Sequence, residues 1–182
     1  MGKIEKYTQI FWYQMIPKYL TLYSRGIIMK RKEAYEQKKI ENKLEVSTYL
    51  DRLKYALASG SAKINFQRDR RVDEGRNKRY TNRYTIAALF PDEDPVTVLK
   101  RELEYLTEED YVETVKDTRY PKRSEMRVFG KKYSEKDVYI KIRVELVNAI
   151  GAGGDNFIFV MSFHFAEEDF EDSDFPYRKR GE

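Results

Sequence analysis

"DVYIKIRVEL", residues 137–146, alternates without a break: Val138, Ile140, Ile142 and Val144 fall on one side, Tyr139, Lys141, Arg143 and Glu145 on the other. A period of two sustained over this length is the pattern of a strand with one face against a core and the other open. The open face carries a phenol, an amine and a guanidinium. Further on, "FVMSFHFAE", residues 159–167, alternates in the same manner and holds His164, the single histidine of the chain. Between the two lies "NAIGAGGDN", residues 148–156, whose glycines suit a hairpin turn; no Lys-Ser or Lys-Thr helix follows, so it is not a phosphate-cradling P-loop. Unbroken alternation places Val160, Ser162, His164 and Ala166 together, and Phe159, Met161, Phe163 and Phe165 opposite them. Joining the apolar faces brings Tyr139, Lys141 and Arg143 to the side of Ser162 and His164, although pattern alone does not fix the register.

Outward from this hairpin, Met126–Phe129 reads as a further strand, and "AKINFQ", residues 62–67, as another with Ile64 and Phe66 on one face. Ser47 is placed to cap a helix whose apolar stripe is Leu50, Leu53 and Leu57, with Gly60 as its stop. A second helix begins at Asp94 and Pro95 and buries Leu99, Leu103 and Leu106. After Thr107 and the acidic pair Glu108–Glu109, the stretch through Pro121 reads as irregular. Helix, strand, helix and an antiparallel strand cluster together predict an α+β domain, a small antiparallel sheet packed on helices. Its bounds are read as 46–166. Residues 1–45 are an extension, with an exposed helix over Met29–Glu45; Met29 is a candidate start site, the alternative being an ordinary extension. Residues 167–182 form an acidic, then basic, tail.

The chain has 182 residues, enough for one core, and 35 Lys and Arg against 31 Asp and Glu, a net charge of +4 that permits polyanion binding without requiring it. The distribution is more telling. Arg68, Arg70, Arg71, Arg76, Lys78, Arg79 and Arg83 crowd one stretch, read as a long basic loop; it is either a solvated loop or, with Tyr80 and Tyr84 interleaved, a track for a phosphate backbone. The acidic residues of the tail either stay solvated or fold over the basic surface as an internal competitor for RNA. The absence of cysteine excludes disulfides, thiolate nucleophiles and cysteine-based metal sites, and one histidine excludes histidine clusters; a carboxylate-only Mg²⁺ site stays open, and no cofactor is expected. The apolar run at Ile10–Trp12 is interrupted by Gln14, Pro17 and Lys18, so neither a membrane span nor a signal peptide is expected, and the protein is read as cytoplasmic.

The face shared by Tyr139, Lys141 and His164 holds the parts for cutting a ribonucleotide chain without a metal. A base must take the 2′-hydroxyl proton, positive charge must stabilise the phosphorane, and an acid must protonate the leaving 5′-oxygen. Imidazole suits proton transfer near neutrality. Arg127, Lys131 and Arg143 are further candidates for phosphate binding. A lone strand histidine also fits a packed structural role, and alternating charges also fit a merely solvated face.

"LTEEDYVE" (106–113), "SEMRVFGKKYSEKDVYIKIRVEL" (124–146) and "FVMSFHFAE" together resemble the MqsR family of type II toxin–antitoxin toxins, in its phage and Gram-positive branch, where "EDY", "VFGK", "VYIK" and "SFH" recur in this order. The resemblance covers residues 106–179 and extends back to Ser47. It implies a RelE-like fold and a metal-independent endoribonuclease acting on mRNA, neutralised by an antitoxin protein, with the ribosome as a further candidate partner. It also implies catalytic roles for Tyr139, Lys141 and His164. Two departures stand out: Glu113 occupies a position that is lysine in the better-known members, and a glutamine near the "VFGK" strand is replaced by an apolar residue. The other reading is a non-catalytic phage or mobile-element inhibitor that binds a nucleic-acid-processing protein or nucleic acid itself.

Overall fold

The computed structural model describes residues 35–60, 62–146 and 156–179. Six strands form one sheet. They are β1 (Glu36–Lys39), β2 (Lys63–Phe66), β3 (Tyr111–Asp117), β4 (Met126–Tyr133), β5 (Lys136–Glu145) and β6 (Phe157–Phe165), in the order β1-β3-β4-β5-β6-β2. Every pairing is antiparallel except β2 with β6. Among the described residues the sheet is accompanied by the helices α1 (Lys43–Ala58), α2 (Asn82–Leu89) and α3 (Pro95–Glu104). The α+β expectation therefore stands.

Helix α1 starts one turn earlier than Ser47. Asn42 and Glu45 form a reciprocal capping box, each side chain accepting from the other's backbone N–H at 2.9 Å, which satisfies two otherwise orphaned donors. Gly60 ends the helical region with φ +70°, a conformation that disfavours residues with a Cβ. Asp94 caps α3 by accepting from Thr97 N–H at 2.8 Å, with Pro95 in the first turn. Val46, Leu50 and Leu53 of α1 and Val98, Leu99 and Leu103 of α3 join Phe129, Ile140, Ile142, Ile158, Val160 and Phe163 in one core, which covers one face of the sheet.

Several expectations are corrected. Where a helix was expected over 29–45, Tyr35 is helical, but Glu36–Lys39 is strand β1 and α1 begins only at Lys43. "EQKK" has no apolar face of its own and is held as an edge strand by pairing with β3. The stretch read as irregular contains β3, whose alternation is broken by a register shift between Tyr111 and Glu113. The basic stretch is two 3₁₀ turns, Arg71–Gly75 and Lys78–Tyr80, running into α2. The turn expected at 148–156 lies, apart from Asn156, outside the described residues, as do residues 1–34.

Helix α2 finishes the edge of the sheet. Strand β2 ends at Phe66, opposite Val160, which leaves the outer backbone groups of β6 without a strand. Asn82 takes over: its amide nitrogen donates to Gln67 O at 2.6 Å and Met161 O at 3.0 Å, and its oxygen accepts from Phe163 N–H at 2.9 Å. Thr85 accepts from Phe165 N–H at 2.8 Å one turn on. At the same place β6 carries a bulge. Lys141 pairs with Ser162 but Ile142 pairs with Val160, so Met161 is the extra residue.

The bulge overturns the unbroken alternation expected for 159–167. Ile158 and Val160 before it, and Phe163 and Phe165 after it, all belong to the core, while Met161, Ser162 and His164 face away from it. Phe159, expected in the core, lies under the Arg143 guanidinium at 5.2 Å.

Candidate active site

Tyr139 and His164 are cross-strand partners on the face of the sheet away from α1 and α3. Their rings stack with centroids 5.4 Å apart and planes 18° from parallel. Two residues along β5, Lys141 opens into the same cleft of about 350 Å³, which Arg70, Arg76 and Met161 also line. The three residues expected to act together are therefore brought together. Arg70 and Arg76 come from the connection between β2 and α2. Arg70 is fixed by donating to Ser162 Oγ at 3.2 Å and to Met161 O at 3.5 Å, the carbonyl of the bulge residue. Arg76 Nη1 donates to Tyr80 O at 3.2 Å and lies 3.4 Å from His164 Nε2.

His164 is 5% exposed. Its Nδ1 lies 2.9 Å from the Phe165 carbonyl, an acceptor, so Nδ1 carries the proton and Nε2 presents a lone pair toward Arg76. Burial lowers the pKa of the ring to about 4, the Phe165 carbonyl opposing this and the charges of Arg76 and Arg70 adding to it. The imidazole is neutral at pH 7. The Tyr139 phenol is pushed up, first by burial and then by the charges of Glu113 and Glu36, so it keeps its proton. One ring can accept a proton while its neighbour can donate one.

An unfolded imidazole titrates at 6.5 and the folded one at about 4, so between these values the unfolded chain binds the extra proton. The stability this residue contributes is complete above 6.5 and is lost as pH falls toward 4, at about 1.4 kcal/mol per pH unit, ~3 kcal/mol in all. Urea melts at about pH 7.5 and about pH 5 should show the loss in the wild type, and His164→Asn should flatten it.

Carboxylates stand on two of the cations. Glu36 of β1 meets Lys141 Nζ at 3.0 Å, and Glu167, just past β6, meets Arg76 Nη2 at 2.5 Å. Neither residue was singled out from sequence; Glu36 lay in a segment read as helix, and Glu167 was one acid among many in the tail. The tail packs on the sheet through its aromatic residues, but of its acids only Glu167 meets a cation of the cleft, while Glu168, Asp169, Glu171, Asp172 and Asp174 are exposed. The Phe170 N–H donates to Asp137 Oδ2 at 3.0 Å, and the Phe170 and Phe175 rings lie so close over Gly130 that a Cβ there would meet them at 2.6 to 2.9 Å. The Tyr177 ring stacks on Tyr111 at 6.1 Å and its hydroxyl donates to the Glu41 carbonyl.

Three expected phosphate ligands lie elsewhere. Arg127 and Lys131 pair with Ile142 and Val138, core residues, and so point to the helix side of the sheet. There Arg127 makes a two-pronged ion pair with the buried Glu41, at 3.0 and 2.7 Å, beneath the Tyr49 ring, while Lys131 donates to Tyr105 O at 3.2 Å. Arg143 is on the open side but beyond the cleft, paired with Glu145 at 2.8 Å. Glu113 pairs with Lys38 at 3.0 Å. Arg68, Arg71, Lys78 and Arg83 line a neighbouring groove, and Arg79 lies beyond it beside Tyr80. Arg127→Ala leaves the buried Glu41 carboxylate only the more distant Lys39, at 3.6 Å, and should cost about 3 kcal/mol of stability. Thermal melts check this, and RNA cleavage per folded molecule should stay at the wild-type level.

No family model matches the chain, and no curated protein or solved structure matches it significantly. Among the described residues no helix is long and apolar enough to cross a membrane.

Proposed function

We propose that the chain is a metal-independent endoribonuclease, a toxin of the MqsR type on a RelE-like scaffold, that cuts mRNA in the cytoplasm and is held in check by an antitoxin protein. The observation that carries the reading is the His164 imidazole stacked on the Tyr139 phenol, in a cleft that Arg70, Arg76 and Lys141 line. The order of the motifs around these residues supports the family and its antitoxin.

In this reading the scissile phosphate enters the cleft and draws Arg76 and Lys141 from their carboxylates onto its non-bridging oxygens. Arg76 thereby leaves Nε2 of His164, which takes the proton from the 2′-hydroxyl. The 2′-oxygen bonds to phosphorus, and the charge of the phosphorane is matched by Arg70, Arg76 and Lys141. The phosphorus–5′-oxygen bond breaks and the phenol of Tyr139 protonates the departing oxygen. Products carry a 2′,3′-cyclic phosphate and a 5′-hydroxyl. The phenolate then recovers its proton from the imidazolium.

The carboxylates on Lys141 and Arg76 favour a second reading, in which the cations are structural and the protein is a non-catalytic inhibitor or nucleic-acid-binding module. Purified protein incubated with mRNA in excess EDTA separates the two. Fragmentation, with growth arrest on induction, is the expected result; intact RNA and unhindered growth leave only the second.

A further inference from the structure

Next to the cleft lies a larger groove of about 840 Å³, and Arg70 lines both. Arg70 is half-buried, its bonds go to a hydroxyl and a carbonyl, and no carboxylate among the described residues lies within ion-pairing distance of it. A guanidinium removed from water in this way lacks a counter-charge that an incoming anion supplies. Burial lowers its pKa, the charge of Asp73 opposing this from beyond ion-pairing distance.

The groove continues that charge outward. Arg68, Arg71 and Lys78 line it and make no ion pair with a described residue. Of the acids in its walls, Asp69 holds Arg83 at 2.7 Å, Asp73 lies 3.8 Å from Arg76 with its Oδ1 without a hydrogen-bond partner among the described residues, and Glu74 makes no ion pair with a described residue, so cations outnumber acids in the groove. Tyr84 of α2 completes the wall. Its ring is fixed edge-on against Phe165 at 6.3 Å yet 46% exposed, so an aromatic surface is held in place beside a row of cations. Spaced positive charge with a rigid aromatic platform is what an unpaired strand requires, because phosphates follow the charges and a splayed base stacks on the ring. A duplex keeps its bases stacked on one another and has none to offer Tyr84.

We propose that this groove is a second nucleotide-binding region, which takes the single-stranded RNA flanking the scissile phosphate, with Arg70 bridging the two sites. The inference rests on the nuclease reading for its place beside a scissile bond, but strand binding itself does not. It makes the substrate a single strand longer than the nucleotides that the cleft accommodates.

The test uses fluorescently labelled 2′-O-methyl strands, which cannot be cut by 2′-hydroxyl attack, and the full chain. Lengthening the strand from a dinucleotide to about eight nucleotides should raise affinity in the wild type. Tyr84→Ala should weaken binding of the longer strand about tenfold. Arg71→Gln with Lys78→Gln should flatten the dependence of log affinity on log salt by about 0.7 for each phosphate no longer neutralised. Wild-type affinity in both variants, or equal competition by a duplex of the same length, overturns the proposal. If the variants lose strand binding while the wild type never cuts RNA, the groove stands and the nuclease reading falls.

Discussion

His164→Ala is expected to slow RNA cleavage by about 10²- to 10⁴-fold, the loss that follows removal of a positioned general base. The fold should survive the change. The ring bonds the carbonyl of the next residue in its own strand and Arg76, while the Phe165 N–H is held independently by Thr85. Tyr139→Phe is the sharper companion, because it keeps the stacked ring and removes only the hydroxyl. With Tyr139 as the acid, cleavage should fall by a similar factor while the melting temperature hardly moves. Single-turnover cleavage of a labelled RNA, with circular dichroism of both variants, reads the result. Wild-type rates in either variant would assign that residue a packing role.

The second large effect is on stability and comes from Asn82→Ala. Asn82 is 1% exposed, and two of its three hydrogen bonds, to Met161 O and Phe163 N–H, substitute for a missing strand along the bulged part of β6, the third going to Gln67 O. Truncation leaves the buried Phe163 N–H without its acceptor and takes a donor from the part-buried Gln67 and Met161 carbonyls, the latter keeping Arg70 at 3.5 Å, at about 1–3 kcal/mol for each group left unsatisfied, of which solvent entry relieves part. A loss of about 3 kcal/mol in chemical denaturation is expected. The same residue holds the Met161 carbonyl that receives Arg70, so the surviving folded fraction should also cleave RNA poorly. A stable variant would show that α2 is not what finishes this edge.

What could be read from sequence depended on whether a segment's pattern was self-contained. β5 has an unbroken period of two, and α3 has a cap, a proline and a leucine stripe, so both were legible. β1 was not, because four polar residues become a strand only beside β3. α2 was hidden by Asn82, a residue that ordinarily breaks helices and here is buried by its bonds to β6.

The bulges set the other limits. Counting by twos through Met161 gave the correct side for Ser162 and His164 but the wrong side for Val160, since one extra residue reverses the parity. In β4, Met126, Val128 and Phe129 are all apolar, so the pattern did not reveal that Arg127 and Lys131 share the face of Phe129. The triad of Tyr139, Lys141 and His164 was legible because all three lie on one uninterrupted stretch of the β5–β6 pairing, whereas Glu36 and Glu167 reach it from outside that hairpin.

End-group analysis of RNA exposed to the purified protein in excess EDTA tests the account most directly. It predicts fragments ending in 2′,3′-cyclic phosphate and beginning with 5′-hydroxyl, with none formed from a 2′-O-methyl strand of the same sequence. Intact RNA, or fragments bearing 3′-hydroxyl and 5′-phosphate ends that appear only when a divalent metal is restored, would contradict it.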